Sequence, residues 1–215
     1  MHLPLSNGTE GQQGGLFLLL LLGLLTIGLI ALVLSRPQLA RHRMGQSLIF
    51  LAFVPLPLAS FWSGLQQHVE LSKRTEFCVS CHVMRQYGES LLIDDSDYLP
   101  AAHYQNRRIP TDHACFTCHT TYTMYGDWSA KLRGLKHTWV NYLGIVPDRP
   151  ELYGPYQNRE CLHCHYGARS FEENEMHIEV RQELSDDETS CLECHDLVHP
   201  TDDLCSQPKW TGTAP

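Results

Sequence analysis

One short pattern recurs four times and constrains this chain more than any other feature: cysteine, two residues, cysteine, histidine. It stands at Cys78-Val79-Ser80-Cys81-His82, Cys115-Phe116-Thr117-Cys118-His119, Cys161-Leu162-His163-Cys164-His165 and Cys191-Leu192-Glu193-Cys194-His195. C-x-x-C-H is the attachment signal of a c-type haem. Two thiols three apart add across the two vinyl groups of one porphyrin, and the histidine that follows binds the iron. Cysteine pairs also build zinc ribbons, with four ligands to each metal. Zinc explains the cysteines as two sites but gives no reason for a histidine after every pair. Four repeats, using all but one of the nine cysteines, predict four covalent haems and electron-transfer chemistry.

With 215 residues, the chain has room for one domain and a membrane segment. The soluble part begins near Gln66 and has about 150 residues, too few to enclose four haems and also build an ordinary apolar core. The expected fold is therefore mostly α with much irregular structure: N-terminal transmembrane helices, then a small multihaem cytochrome c domain whose core is largely haem. There are 13 histidines, so those outside the motifs supply candidates for the sixth iron position. The net charge of −8 gives no sign of a nucleic-acid partner.

Leu16 to Leu34 is an uncharged apolar run. As a helix it spans about 28 Å, close to the hydrocarbon thickness of a bilayer. A second run, Ser47 to Leu65, contains Pro55 and Pro57, which predict a kink or a local break. Arg36, Arg41 and Arg43 lie between the runs and favour the cytoplasmic side, whereas residues 1–15 contain no Lys or Arg. The expected topology is a hairpin (16–34 and 47–65). It places the short N-terminus 1–15 and the haem domain 66–200 on the periplasmic or outer face of a bacterial cytoplasmic membrane. Without a basic n-region the first run does not resemble a cleaved signal. Asp148 to Pro155 is a proline-rich connection between the haem pairs, and 201–215 is expected to be a loose C-terminal tail.

Met84 follows His82 by two residues, and its thioether is either an iron ligand or an apolar neighbour of the porphyrin. C-x-x-C-H-x-M close behind a membrane helix, with three more C-x-x-C-H sites after it, resembles the NapC/NirT/NrfH family of membrane-anchored tetrahaem cytochromes c. The resemblance covers roughly residues 47 to 200, although that family usually has one membrane helix. It implies oxidation of membrane quinol and delivery of electrons to a periplasmic reductase, and it implies that Met84 can replace His82 on the first iron. His103 in His103-Tyr104-Gln105-Asn106 matches a distal-ligand stretch of the family. His177 stands where the family places a distal histidine, and His199 closes a C-x-x-C-H-x-x-x-H ending that recurs in it. His137 is a candidate ligand or quinol-site group, and His113 is left without a role. Lys131 lies at an offset that the family associates with its quinol site. Asp127 and Lys131 are also i and i+4 on a possible helix, a spacing common in plain surface ion pairs.

The resulting set has haem attachment by Cys78, Cys81, Cys115, Cys118, Cys161, Cys164, Cys191 and Cys194. Candidate iron ligands are His82, Met84, His103, His119, His137, His165, His177, His195 and His199. Asp127 and Lys131 are candidates at a quinol site. The expected function is electron transfer from membrane quinol to a periplasmic or outer-face redox protein, possible quinol dehydrogenase activity included. The alternative is a relay subunit of a larger membrane complex with no quinone site of its own. His163, inside the third motif, is expected at the surface, and Cys205 has no partner in the motif pattern.

Overall fold

The structure, a computed structural model, describes residues 9–145, 152 and 154–212. The first eight residues, most of the 148–155 connection and residues 213–215 lie outside the described set. The chain divides into two units, one covering Leu5–Lys73 and the other principally Arg74–Pro215.

The first unit is a helical hairpin. Helix α1 (Thr9–Ser35) is apolar over most of its length, with one face half-buried at Leu19, Leu22 and Leu29 and its other leucines exposed. That pattern belongs in lipid rather than water. A short 3-10 turn, Pro37–Arg41, reverses the chain. Helix α2 (Arg43–Phe53) then ends at Val54, and α3 (Pro55–Ser72) begins with proline at its first position. Pro55 lacks an N–H and so starts a new helix rather than continuing the old one. The expected kink is thus a break, and the second apolar stretch runs over Arg43–Ser72, longer than the sequence suggests. The turn depends on Gly45, where an added Cβ would sit 1.7 Å from the Leu39 carbonyl oxygen. Thr26 and Ser60 donate their hydroxyls to the carbonyls of Leu22 and Leu56, at 2.8 and 2.9 Å. Neither hydroxyl is left unsatisfied on an apolar helix.

The second unit is a set of short helices with no β-strand among the described residues: α4 (Thr75–Val79), α5 (Arg85–Ser90), α6 (Leu99–Gln105), α7 (Ala114–Cys118), α8 (Gly126–Leu143), α9 (Asn158–His165), α10 (Arg169–Glu172), α11 (Glu175–Glu179), α12 (Arg181–Ser185) and α13 (Cys191–Cys194). Its apolar core is small: Leu91, Leu92, Tyr104, Ile109 and Ala114 form one cluster, and Ile93, Ala101 and Leu204 a second. Part of the expected loose tail is pinned to this core. Asp94 N–H donates to the Pro208 carbonyl (2.9 Å), Trp210 N–H donates to the Leu92 carbonyl (2.7 Å), and Leu204 is buried. Ile93 and Lys209 form an isolated antiparallel bridge, which the composition of the tail does not announce.

Candidate functional site

In three of the four motifs both cysteines lie within one helix, α7, α9 or α13, so the thiols stand at i and i+3 on a common face. Helix α13 has only four residues and is held by a capping box. Ser190 Oγ accepts from Leu192 N–H at 3.2 Å, and the Glu193 carboxylate accepts from Ser190 N–H at 2.9 Å. The first motif differs: α4 stops at Val79, Cys81 is extended, and a 3-10 turn, His82–Met84, follows. His82 and Met84 therefore share one tight turn.

Buried polar side chains tie the motifs together in two pairs. Thr75 is fully buried, accepts from Ala114 N–H at 2.8 Å and donates to the Thr111 carbonyl at 2.9 Å. It joins the first motif to the second. Asn158 is equally buried, and its amide donates to the carbonyls of Leu184 (2.9 Å) and Thr189 (2.6 Å) while accepting from Cys191 N–H at 2.8 Å. It joins the third motif to the fourth. The thiols follow the same pairing: Cys115 neighbours Cys78, and Cys161 neighbours Cys191. In each pair the neighbouring thiol pushes the two pKa values apart, so Cys115 and Cys161 are raised and Cys78 and Cys191 lowered. None of the nine cysteines is in a disulfide. Thr75→Val preserves shape but strands the Ala114 N–H and the Thr111 carbonyl. It is expected to cost about 2 kcal/mol, measured as a lower denaturation midpoint.

The histidines converge in pairs across the motifs. His119 and His199 have ring centroids 6.3 Å apart, His103 and His165 5.9 Å, and His177 and His195 6.2 Å. Two imidazoles bound on opposite sides of one metal, each through a bond of about 2 Å, place their ring centres about 6 Å apart. Hydrogen bonds fix the tautomer of two of these rings. His103 Nδ1 donates to the Leu99 carbonyl at 2.8 Å, leaving Nε2 as the unprotonated nitrogen. Ser90 uses its one hydroxyl proton on the Tyr87 carbonyl (2.7 Å), so toward His199 it must accept. His199 Nδ1–H is the donor at 2.7 Å, and again Nε2 is left for a metal. The His177 ring packs on Phe171 with centroids 4.7 Å apart, and its buried Nδ1 has no hydrogen-bond partner.

These features fit covalently attached haem. Among the described residues no three His, Cys, Asp or Glu side chains gather as a zinc site requires. The donors meet two by two instead, beside paired thiols. Burial pushes the pKa values of His119, His165 and His199 down, with neighbouring histidines adding to the effect, and His199 falls to about 4. All three are neutral at pH 7, which is the ligating form. His119 is nonetheless reachable by solvent.

His103, His177 and His199 are thus brought opposite motif histidines, and His199 faces the second motif although it follows the fourth in sequence. His137, on α8, is close enough to lower His119 electrostatically, but the ring opposite His119 is that of His199. His82 forms no ring pair among the described residues. His113 lies 3.1 Å from the Asp112 carboxylate. His163 is exposed, as expected, and stacks on Tyr122 at 3.9 Å. Lys131 Nζ sits 4.5 Å from the centre of the Phe116 ring, and its charge helps lower Cys78. Asp127 lines a cleft of about 460 Å³ with Phe116, Tyr122, Met124 and His163. Both quinol-site candidates therefore adjoin Phe116 of the second motif. Helix α8, which carries them, starts where only glycine fits: a Cβ on Gly126 would sit 1.4 Å from the Thr121 carbonyl oxygen.

Paired histidines, paired thiols and a small apolar core fit a multihaem cytochrome c. The chain belongs to the NapC/NirT cytochrome c family, whose N-terminal region model matches residues 41–204. It is 24% identical over 161 residues to the cytochrome c-type protein NapC of Haemophilus influenzae, covering 66% of this chain and 76% of that protein. It is 23% identical over 206 residues to the denitrification system component NirT of Stutzerimonas stutzeri, covering 88% and 90%. The cytochrome c-type protein TorC of Escherichia coli K12 is 25% identical over 158 residues, 64% of this chain and 38% of TorC. No solved structure matches the chain. The protein is an electron-transport cytochrome with covalent haem c and an apolar N-terminal membrane anchor.

Proposed function

We propose that the chain carries four haems c and passes electrons from membrane quinol to a redox partner on the outer face of the cytoplasmic membrane. The observation that carries this reading is the set of three imidazole pairs at 5.9–6.3 Å, each containing one motif histidine. When bound, each haem supplies an iron that takes and gives one electron. His119 and His199 hold the second iron, His165 and His103 the third, His195 and His177 the fourth. The first is held by His82 or, in its place, by Met84, which lies in the same turn. Ser90 and the Leu99 carbonyl orient two distal rings, which keeps their donor nitrogens free of protons.

Oxidising a quinol releases two protons with two electrons, so groups that take or steady protons must stand beside the headgroup. Asp127 and Lys131 fill that role, next to Phe116 of the second attachment motif. Asp127→Ala and Lys131→Ala are each expected to slow quinol oxidation at least about tenfold, with haem content unchanged. The test mixes the oxidised protein anaerobically with a menaquinol analogue and follows haem absorbance. Wild-type rates in both variants would remove these residues from the mechanism. No reduction of the wild type by quinol, with dithionite still reducing every haem, would leave the chain a relay inside a larger complex.

A further inference from the structure

Helix α8 turns its large apolar side chains outward. Trp128, Leu132, Leu135, Trp139, Tyr142 and Leu143 are all exposed, Trp139 at 66% and Tyr142 at 77%. Turned at about 100° per residue, these six fall on one face within an arc of about 100°. The half-buried residues of the helix include Ser129, Ala130, Val140 and Asn141, which lie on the opposite side. Water does not support so large an outward apolar stripe without something to cover it.

We infer that α8 lies flat on the lipid bilayer, its Trp/Leu/Tyr face sunk to the level of the headgroups and upper acyl chains. Three observations select lipid. The stripe mixes two tryptophans and a tyrosine with leucines, and by the same rotation Lys136 falls on one of its borders. Aromatic rings at the interface with a flanking lysine reaching to the phosphates is the pattern of an interfacial helix. Charge agrees: α8 holds Lys131, Arg133 and Lys136 against one acid, Asp127, in a chain of net charge −8. A locally cationic helix on an acidic protein suits anionic lipid phosphates. Chain length agrees too: α3 ends at Ser72 and α4 begins at Thr75. So short a joint tethers the domain to the membrane that the apolar hairpin enters. This placement does not require that quinol bind the chain.

The test uses the full-length, haem-loaded protein in liposomes of phosphatidylethanolamine and phosphatidylglycerol, the latter carrying a radiolabel. A benzophenone amino acid is placed at Leu135, on the stripe, or at Arg133, on another face. Irradiation is expected to attach labelled lipid at position 135 several-fold more than at 133. Equal labelling at both positions overturns the proposal. So does capture at 135 of a second protein chain or of another part of the same chain in place of lipid. If the Leu135 variant fails to load haem, the same comparison is made with the probe at Leu132.

Discussion

His199→Ala is expected to leave all four haems attached and to convert one of them from low-spin to high-spin. The attachment thiols are untouched, so covalent content should not change. What disappears is the ring 6.3 Å from His119, and the cavity left behind admits water or no ligand at all. In the oxidised protein about a third of the low-spin signal carried by the imidazole pairs should be lost, because one pair of the three is broken. His199→Met should restore a six-coordinate haem and raise its reduction potential, since a thioether favours the reduced iron. Ser90→Ala should act in the same direction but more weakly. Without an acceptor for Nδ1–H the ring is a poorer donor to iron, so one potential rises while the low-spin spectrum persists. Electron paramagnetic resonance with a redox titration separates the three variants. An unchanged low-spin spectrum in His199→Ala would remove His199 from the ligand set.

Asn158→Leu should be the most damaging single change away from the haem ligands. The amide satisfies the Leu184 and Thr189 carbonyls and the Cys191 N–H, and all three lose their partner, the first in a buried place and the others in part-buried ones. Each buried group left unpaired costs about 1–3 kcal/mol, so a loss of roughly 3–5 kcal/mol is expected. The damage should be local, because this residue joins the third motif to the fourth. Chemical denaturation followed by haem absorbance should show a lower midpoint, with the His177–His195 and His103–His165 spectra perturbed before that of His119–His199. Thr75→Val should perturb the other half of the domain and to a smaller extent.

The chemistry of this chain was legible because attachment is a local covalent pattern. Four C-x-x-C-H repeats mark candidate attachment thiols and proximal histidines without any knowledge of the fold. Distal ligands are a different matter. His199 stands beside the fourth motif in sequence, yet its ring pairs with His119 of the second, a contact that only the folded chain creates. Pro55 announced the break between α2 and α3, because a missing N–H is a local property. Gln46 and Arg43 lie beyond the apolar run expected from residue 47, so polarity hid the start of the second helix. The tail was misleading for a related reason: Leu204 and Trp210 pack on 91–93, but their surroundings in sequence are polar and rich in proline. Ser90 gave no signal as the residue that orients His199. Thr75 and Asn158 did leave a trace, since each stands three residues before the first cysteine of its motif.

The central claim is that this chain holds four covalent haems between paired histidines. Intact mass spectrometry of the purified protein, combined with a pyridine haemochrome assay, tests it most directly. The account predicts the polypeptide mass plus four haems, with four haems per chain by absorbance and no zinc. A mass lower by one or more haems, or cysteines that remain open to alkylation in any of the four motifs, would contradict it.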